Sequence, residues 1–378
     1  MIYLDNAATT FPKPRAVVRE TVRCMEEYAG NPGRSAHPAS IKAAQAVYDT
    51  RMKICELFGV DREENVIFTK NATEAINLAL FGLLREGDGV ITTNLEHNAV
   101  IRALWCLRER GVKTEIVDAT ASDDALVADV EAKIAPETRA LVCLHASNIC
   151  PRVLPIRRLG ALCRKRGIFF IVDAAQSAGI YDIDMKRDNI DVLCAPGHKG
   201  LFGPMGAGVA VFRGGFDFSL LSPLLFGGTG VSSADASMGH TPPESYEAGT
   251  LALPAIVGLG AGVDFVKSVG TKAIRDHDAA LYEKAKSELL TLGAKIYGDF
   301  GSGAVLLFNL PGMAGSDVAA ALGDKGICVR AGLHCAPTAH VALDTEGDAV
   351  RIGFSPMNTE RDVAALICAL NKIKNGRG

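Results

Sequence analysis

The sequence lacks the features that would point to a nucleic-acid-binding, membrane-spanning or secreted protein. It has 40 Lys and Arg residues against 43 Asp and Glu residues, and the net charge of −3 gives no electrostatic case for nucleic acid or an anionic membrane as a partner. No apolar run approaches the roughly 18 residues that would suggest a membrane span. The first residues show no basic region followed by an apolar one, so we expect no secretory signal and a cytoplasmic location.

The ten cysteines contain no Cys-x-x-Cys pair, the spacing typical of zinc sites and redox motifs. Cys143, Cys194 and Cys368 lie in apolar patterns, where a reduced cysteine behaves as a small hydrophobic residue. This usage favours a reducing compartment over a disulfide framework. Cys335 leaves three alternatives open: a buried structural cysteine, a metal pair with His340, or a reactive thiol. No further ligand cluster at zinc spacing supports the metal, so we expect no metal site.

Residues 65–212 alternate short β-rich runs with helical patterns, which predicts an α/β fold around a mostly parallel sheet. The predicted strands lie at 66–69, 89–93, 114–117, 140–144, 168–172, 191–195 and 208–212. The last two follow each other without a long helix between them, so this pair is expected to reverse the strand direction. Ligands of such sheets bind beyond the carboxyl ends of the strands.

The C-terminal part has a different pattern, in which short strands alternate with helices and a smaller α+β domain is indicated. At 378 residues the chain exceeds one typical core. We therefore predict a large domain at 15–254 and a small domain formed by 1–14 and 255–378. Gly258, Gly260 and Gly262 lie in an apolar helical pattern without a preceding strand, which indicates close helix packing rather than a dinucleotide-binding motif.

Lys199 and Asp173 are the most informative pair in the sequence. The run 168–172 is typical of a buried strand and leads into Asp173 at its carboxyl end, and Lys199 follows 26 positions later. Pyridoxal phosphate needs a lysine that forms a Schiff base and an acid that keeps its ring nitrogen protonated, so that the ring accepts electrons. Either residue alone would be an ordinary surface lysine or strand-end acid, but the two together favour this cofactor.

Three further motifs follow predicted strands at the same edge of the sheet. The segment 71–75 opens a helix whose free N–H groups could bind a phosphate, although a plain N-cap is the alternative. His97 could stack on an aromatic cofactor ring and move protons, or could be a surface or capping histidine. Asn148 could bind the cofactor oxygen or a substrate carboxylate, or form an Asx-turn.

An ordered set of motifs resembles the fold-type I pyridoxal-phosphate enzymes of aminotransferase class V, in particular the cysteine desulfurase and selenocysteine lyase family. The motifs that carry the resemblance span nearly the whole chain, at 3–10, 30–37, 72–77, 96–97, 172–176, 197–199, 247–250, 330–335 and 351. The resemblance implies a large α/β domain with a mostly parallel sheet, a smaller α+β domain, pyridoxal phosphate as cofactor, and a homodimer.

The resemblance also assigns roles to residues around the cofactor. It implies that His97 stacks on the ring, Asp173 pairs with the ring nitrogen, and Gln176 contacts the phenolic oxygen. The residues it implies for the phosphate are Ala72, Thr73 and His198, with Thr250 supplied by the other subunit.

The substrate side of the site follows from the same resemblance. Asn148 and Arg351 would bind the substrate carboxylate, and Arg330 is a further substrate-binding candidate. Cys335 would attack the substrate sulfur and leave as a persulfide, with His334 or Arg330 helping to form the thiolate. The resemblance therefore implies a cysteine desulfurase that converts L-cysteine to L-alanine, with Lys199 as the base and with Lys199, His97 and Cys335 as catalytic residues.

Several alternatives and departures accompany this interpretation. A selenocysteine lyase, another thio-amino-acid lyase, a class V aminotransferase and a non-catalytic regulatory protein remain alternatives. Cys335 and Arg351 are only 16 positions apart, which resembles the short-loop branch that tends to need a sulfur-accepting partner protein. Pro196 replaces a serine that contacts the phosphate in many relatives. The segment 150–152 and the loop 338–340 also differ, and Arg152 could alter substrate choice.

Overall fold

The computed structural model describes residues 1–33, 35–230, 236–345 and 347–376. In chain order, the strands are β1 (Ile2–Tyr3), β2 (Val66–Thr69), β3 (Gly89–Thr93), β4 (Lys113–Val117), β5 (Thr138–Leu144), β6 (Phe169–Asp173), β7 (Val192–Pro196), β8 (Gly208–Phe212), β9 (Lys295–Tyr297), β10 (Val305–Asn309), β11 (Ile327–Cys328), β12 (Arg330–Gly332) and β13 (Ala349–Gly353). The strands predicted between residues 66 and 212 all form, with ends shifted by no more than two residues.

Eleven α-helices accompany these strands in the described residues. They are α1 (Arg15–Glu27), α2 (Pro38–Phe58), α3 (Ala72–Leu83), α4 (Asn98–Arg108), α5 (Asp123–Lys133), α6 (Ile156–Arg166), α7 (Leu253–Val269), α8 (Thr271–Thr291), α9 (Gly315–Asp324), α10 (Pro337–Ala342) and α11 (Glu360–Lys374). In the described parts of the chain, no single helix is long and apolar enough to cross a membrane, although α7 and α8, bent by 79° at their junction, meet that test when joined.

The large sheet has the strand order β2-β8-β7-β6-β5-β3-β4. The pairs from β7 to β4 are parallel, whereas β8 runs antiparallel to both β7 and β2. This arrangement confirms the predicted α/β fold and the reversal of the last strand pair. The reason is the short connection between β7 and β8, because a parallel pair needs a longer crossover, usually with a helix.

The large sheet is buried on both faces, which explains why its strands are continuous apolar runs. Successive residues of one strand enter different cores: Phe170 and Val172 of β6 pack in one core, and Ile171 packs in the core on the opposite face. Apart from the outer strand β4, which carries Lys113, Thr114 and Glu115, polar side chains lie near the ends of the strands, as at Asp173. The fold therefore concentrates its buried polar groups at the carboxyl edge of the sheet.

A second, antiparallel sheet has the order β12-β13-β10-β9 and packs against α8, α9 and α11. The N-terminus joins this part of the molecule, because β1 pairs with β11 and Asp5 forms a bridge with Gly353. Thr359 and Asp362 form a capping box at the start of α11. The division at 14 and 254 into two domains stays a prediction.

Helix α7 packs closely against its neighbours through its glycines, as the sequence pattern indicated. A Cβ atom on Gly258 would lie 2.4 Å from Thr21 Oγ1, and one on Gly260 would lie 2.6 Å from Thr50 Oγ1. At Gly262 the same atom would lie 2.1 Å from the carbonyl oxygen of Leu201, two residues beyond Lys199. These glycines let α7 support the loop that carries the lysine.

We expect Gly262→Ala to lower the free energy of unfolding by about 2 kcal/mol, because the backbone carbonyl of Leu201 must move to admit the methyl group. Gly323→Ala is the matched control, since Gly323 is exposed in α9 and a Cβ atom there would meet no other atom within 4 Å. That change should raise the free energy of unfolding by roughly 0.5–1 kcal/mol. Urea unfolding measures both values, and equal effects of the two substitutions would contradict the packing argument.

Candidate active site

A cavity of about 230 Å³ lies at the carboxyl edge of the large sheet, where it meets the smaller sheet. It is lined by strand ends, by the start of α3 and by loops from both sheets. The predicted site residues among its lining are Ala72, Thr73, His97, Asn148, Asp173, Gln176, His198, Lys199, Arg330 and Arg351. The structure thus brings together residues that are as many as 279 positions apart in the sequence.

Lys199 and Asp173 share this cavity, where Asp173 is buried and Lys199 is half-buried. Burial lowers the pKa of Lys199 to about 8, although the neighbouring Asp173 acts in the opposite direction. Burial raises the pKa of Asp173, and the N–H of Ala175, which donates to its Oδ1 at 2.8 Å, acts against that rise. The pair therefore combines an amine that loses its proton more readily than a free lysine with an acid that holds its proton more tightly than a free aspartate.

His97 lines the cavity and also caps helix α4, so the capping alternative is confirmed, whereas its role towards a cofactor stays a prediction. Its Nδ1 accepts the N–H of Ala99 at 3.0 Å. Burial, followed by the charge of Lys199, lowers the pKa of His97 to about 4. At neutral pH the ring is therefore uncharged, and because Nδ1 is an acceptor its proton lies on Nε2.

Glu96, directly before His97, is a buried acid whose importance the sequence did not indicate. Its carboxyl group accepts the hydroxyl of Thr93 at 2.6 Å and the N–H of Leu144 at 3.0 Å. Burial raises the pKa of Glu96 to about 8, while these hydrogen bonds act against the rise. Glu96 thereby ties the end of β3 to the end of β5 and fixes the position of the adjacent His97.

The start of α3 lies on the wall of the cavity. Asn71 caps the helix through Oδ1, which accepts the N–H of Glu74 at 2.9 Å. The N–H groups of Ala72 and Thr73 belong to the first helical turn, where no intrahelical acceptor exists. Within the described chain, His198 Nδ1 is buried without a hydrogen-bond partner. An anion at this turn would satisfy these groups.

Arg351 reaches the cavity from β13 of the smaller sheet and is only 2% exposed. Its Nη2 donates to Asp5 Oδ1 at 2.6 Å, and its Nη1 donates to the carbonyl oxygen of Asn148 at 3.1 Å. Its Nε is buried without a partner among the described residues. Asn148 donates one amide N–H to the carbonyl oxygen of His334 at 2.9 Å. Nε of Arg351 and the second amide N–H of Asn148 therefore remain as donors for a ligand, and these are the two residues predicted to bind a carboxylate.

Cys335 lies at the edge of this site rather than in the lining of the cavity. Its side chain is exposed, and its Sγ is 3.7 Å from Nη2 of Arg330. The ring of His334 is buried and contacts His340 and the carbonyl oxygen of Arg330 instead of the thiol. Of the two residues suggested to help the thiolate, Arg330 is therefore the one in contact with it. No group of three or more His, Cys, Asp and Glu side chains in the described ranges is arranged to hold a metal ion.

Three residues singled out in the sequence have other surroundings. Gln176 lines the cavity but donates from Nε2 to the carbonyl oxygen of Ala7 at 2.9 Å, which leaves its other amide groups for a ligand. Thr250 is exposed and lies outside the cavity of its own chain. Arg152 donates to the carbonyl oxygens of Ala119 and Ala121 and pairs with Asp123, so it does not line the cavity either.

We expect Asp5→Ala to lower the free energy of unfolding by about 3 kcal/mol, because it leaves the buried guanidinium of Arg351 without its counter-charge. The value lies at the low end for buried pairs since the side chain of Asp5 is 18% exposed. Asp276→Ala, which removes an exposed partner of Lys272 on α8, is the control and should change stability by less than about 0.5 kcal/mol. Similar losses in the two variants, measured by urea unfolding, would refute a special role for the Asp5 pair.

Comparison with known proteins gives a consistent result across the whole chain. The family model described as Aminotransferase class-V matches residues 2–366. A probable cysteine desulfurase of Methanothermobacter thermautotrophicus is 34% identical over 98% of this chain and 94% of its own length. A probable cysteine desulfurase of Halobacterium salinarum is also 34% identical, over 99% of this chain and 92% of its own length.

Solved structures of cysteine desulfurases have a similar fold. The apo structure of a cysteine desulfurase from Thermococcus onnurineus superposes with a TM-score of 0.91 at 31% identity, covering 99% of this chain and 95% of the other. A cysteine desulfurase from Escherichia coli superposes with a TM-score of 0.86 at 28% identity, covering 98% of this chain and 94% of the other.

Proposed function

This chain belongs to the aminotransferase class-V family, and we propose that it is a pyridoxal-phosphate-dependent cysteine desulfurase that converts L-cysteine to L-alanine. The observation that carries the proposal is the shared cavity of Lys199 and Asp173, with the thiol of Cys335 beside Arg330 at its edge. A buried amine and acid suit the cofactor, and an exposed thiol next to a guanidinium suits the acceptance of sulfur.

The residues of the cavity fit pyridoxal phosphate. The first turn of α3 and the unpartnered Nδ1 of His198 would hold the phosphate, with Thr250 of a second subunit completing it. Lys199 would hold the aldehyde carbon, Asp173 the ring nitrogen, Gln176 the phenolic oxygen, and the neutral ring of His97 one face of the cofactor. When bound, the cofactor supplies an electron-accepting ring next to the substrate. Pro196 has no N–H or hydroxyl, so the phosphate contacts must come from the other residues.

The remaining steps are carried by side chains of the protein. Arg351, Asn148 and Arg330 orient the substrate through its carboxylate, and Nζ of Lys199 takes the α-proton. The thiolate of Cys335 then forms an S–S bond while the bond between Cβ and sulfur of the substrate breaks. The electron pair of that bond stays with carbon, which takes up a proton and leaves as alanine, and Cys335 keeps the sulfur as a persulfide.

The exposure of two residues supports the proposed partners. Thr250 is exposed and outside its own cavity, which suits a homodimer in which it serves the second subunit. The exposed thiol of Cys335 suits transfer of its sulfur to an acceptor protein. All ten cysteines are free, which suits a reducing compartment, and on this ground we propose a cytoplasmic location.

Lys199→Ala and Cys335→Ala should separate the two halves of the reaction. We expect Lys199→Ala to abolish the visible absorbance of the attached cofactor, because the amine that holds it is removed. The rate of alanine formation should fall at least about 1000-fold, because the base is removed. Cys335→Ala should keep the absorbance but form no persulfide, which mass spectrometry detects as one added sulfur on the peptide that contains Cys335. A Cys335→Ala variant that forms alanine and sulfide from cysteine at the wild-type rate would refute the role of the thiol, and Cys368→Ala is the control for an exposed cysteine elsewhere.

The pH dependence of cofactor attachment tests the state of Lys199. Only a neutral amine attacks a carbonyl, and burial lowers the pKa of Lys199 from 10.5 to about 8. The attachment rate of the cofactor-free protein should therefore rise about tenfold from pH 6 to pH 7 and level off above about pH 8. Stopped-flow absorbance measures this rate, with N-acetyl-lysine methylamide as the reference amine. A rate that keeps rising to pH 10, as for the reference, would contradict the buried environment.

A further inference from the structure

The turn that carries Cys335 has an unusual backbone. His334 and Cys335 are consecutive non-glycine residues with φ angles of +51° and +57°. The left-handed region is unfavourable for residues with a Cβ atom, so a surrounding set of contacts must hold the turn in place. These contacts come from the sides of both sheets.

Two contacts hold the turn from the side of the large sheet. The carbonyl oxygen of His334 accepts the amide of Asn148 at 2.9 Å, and the carbonyl oxygen of Cys335 accepts the N–H of Asn98 at 2.7 Å. Asn98 is the first residue of α4, directly after His97. The same helix end therefore fixes both the ring of His97 and the backbone of the residue that bears the thiol.

A chain of three side chains holds the turn from the side of the smaller sheet. Nε2 of His334 lies 3.3 Å from the carbonyl oxygen of Arg330, and its Nδ1 lies 3.2 Å from Nε2 of His340. Nδ1 of His340 lies 2.6 Å from the hydroxyl oxygen of Thr345. Both histidines are buried, with exposed fractions of 3% and 2%.

The direction of every hydrogen bond in this chain follows from its ends. A carbonyl oxygen only accepts, so His334 carries a proton on Nε2, and burial lowers the pKa of His334 to about 3, which leaves its Nδ1 as an acceptor at neutral pH. His340 must then donate from Nε2, and since burial also lowers the pKa of His340, its Nδ1 accepts the hydroxyl of Thr345. The chain runs from Thr345 through His340 and His334 to the carbonyl of Arg330, with one hydrogen atom in each bond.

We propose that the chain Thr345–His340–His334 positions the sulfur-accepting thiol, because it fixes both Arg330 and the strained turn of Cys335. Its last bond holds the backbone of Arg330, whose guanidinium lies 3.7 Å from Sγ of Cys335. None of the three side chains contacts the thiol, so they are positioning residues and not catalytic ones. The inference rests on the proposed function, in which Cys335 accepts sulfur, and it assigns a role to His340 other than the metal pair.

The test compares the alkylation rates of Cys335 and Cys368 in the same molecule. Both thiols are exposed, so Cys368 is an internal reference, and peptide mass spectrometry after brief iodoacetamide treatment of the cofactor-loaded protein at pH 7 gives the ratio. We expect His340→Leu to lower the ratio about fivefold, because the guanidinium no longer stays beside the thiolate. His340→Gln, whose amide N–H can still donate to His334, should stay within about twofold of the wild type.

A pair of Thr→Val substitutions provides a matched control. Thr345→Val removes the hydroxyl that donates to His340 and should lower the alkylation ratio. Thr338→Val removes a buried hydroxyl that has no hydrogen-bond partner among the described residues, and it should leave the ratio unchanged. If circular dichroism shows that His340→Leu does not fold, the comparison of Thr345→Val with Thr338→Val tests the proposal by itself. An unchanged or increased alkylation ratio in folded His340→Leu or in Thr345→Val would overturn the proposal. An equal decrease of the ratio in Thr345→Val and Thr338→Val would overturn it as well.

Turnover separates this inference from the proposed function. With cysteine as substrate, His340→Leu should lower kcat about fivefold and leave KM within about twofold, because Arg351 still binds the carboxylate. If the wild type forms no alanine from cysteine, the proposed function fails, but the alkylation ratios still report on the turn. If the wild type turns over and His340→Leu matches it in kcat and alkylation ratio, only the positioning role fails.

Discussion

A buried amine and a buried carboxylic acid each favour their neutral forms unless an opposite charge lies close enough to offset the loss of water. Asp173 is buried and Lys199 is half-buried at the carboxyl edge of the large sheet, and burial shifts the pKa of each group towards its neutral form. The fold therefore places this pair at one cavity, with Asp173 at the end of β6 and Lys199 on the loop that follows the neighbouring β7. Every other feature of the site, from the cap of α3 to the ring of His97, is arranged around this pair.

The cavity is completed by parts of the chain that are remote in sequence, and the N-terminal segment connects them. Asp5 pairs with Arg351 of the smaller sheet, while Thr10 and Lys13 donate to the carbonyl oxygen of His198, the residue before Lys199. One short segment thus contacts both the residue proposed to bind the substrate carboxylate and the loop of the proposed base. A shift of this segment would move the two groups relative to each other, so its burial matters for the geometry of the site.

The sequence predicted the large sheet and most of the cavity for a physical reason. Strands buried on both faces are continuous apolar runs, and residues at their carboxyl ends must meet at one edge, so Asp173, His97 and Asn148 could be grouped without a structure. No prediction was made for helix α1, in which the apolar side chains of Val18, Val22 and Met25 are exposed. The contacts of Asp5 and His340 could not be predicted from a local pattern, since Asp5 pairs with a residue 346 positions away and His340 contacts another histidine.

In the proposed function, the surroundings of Cys335 reconcile two requirements that oppose each other. A thiol that passes sulfur to a second protein has to be exposed, whereas a thiol that attacks a bound substrate has to keep a fixed position. Exposed side chains gain little order from packing, so the backbone must supply it. At Cys335 the order comes from a left-handed turn whose carbonyl oxygens are bound on one side by Asn98 and Asn148 and whose other side is fixed by buried histidines. The strain is confined to two residues, and the sulfur atom remains free to meet both partners.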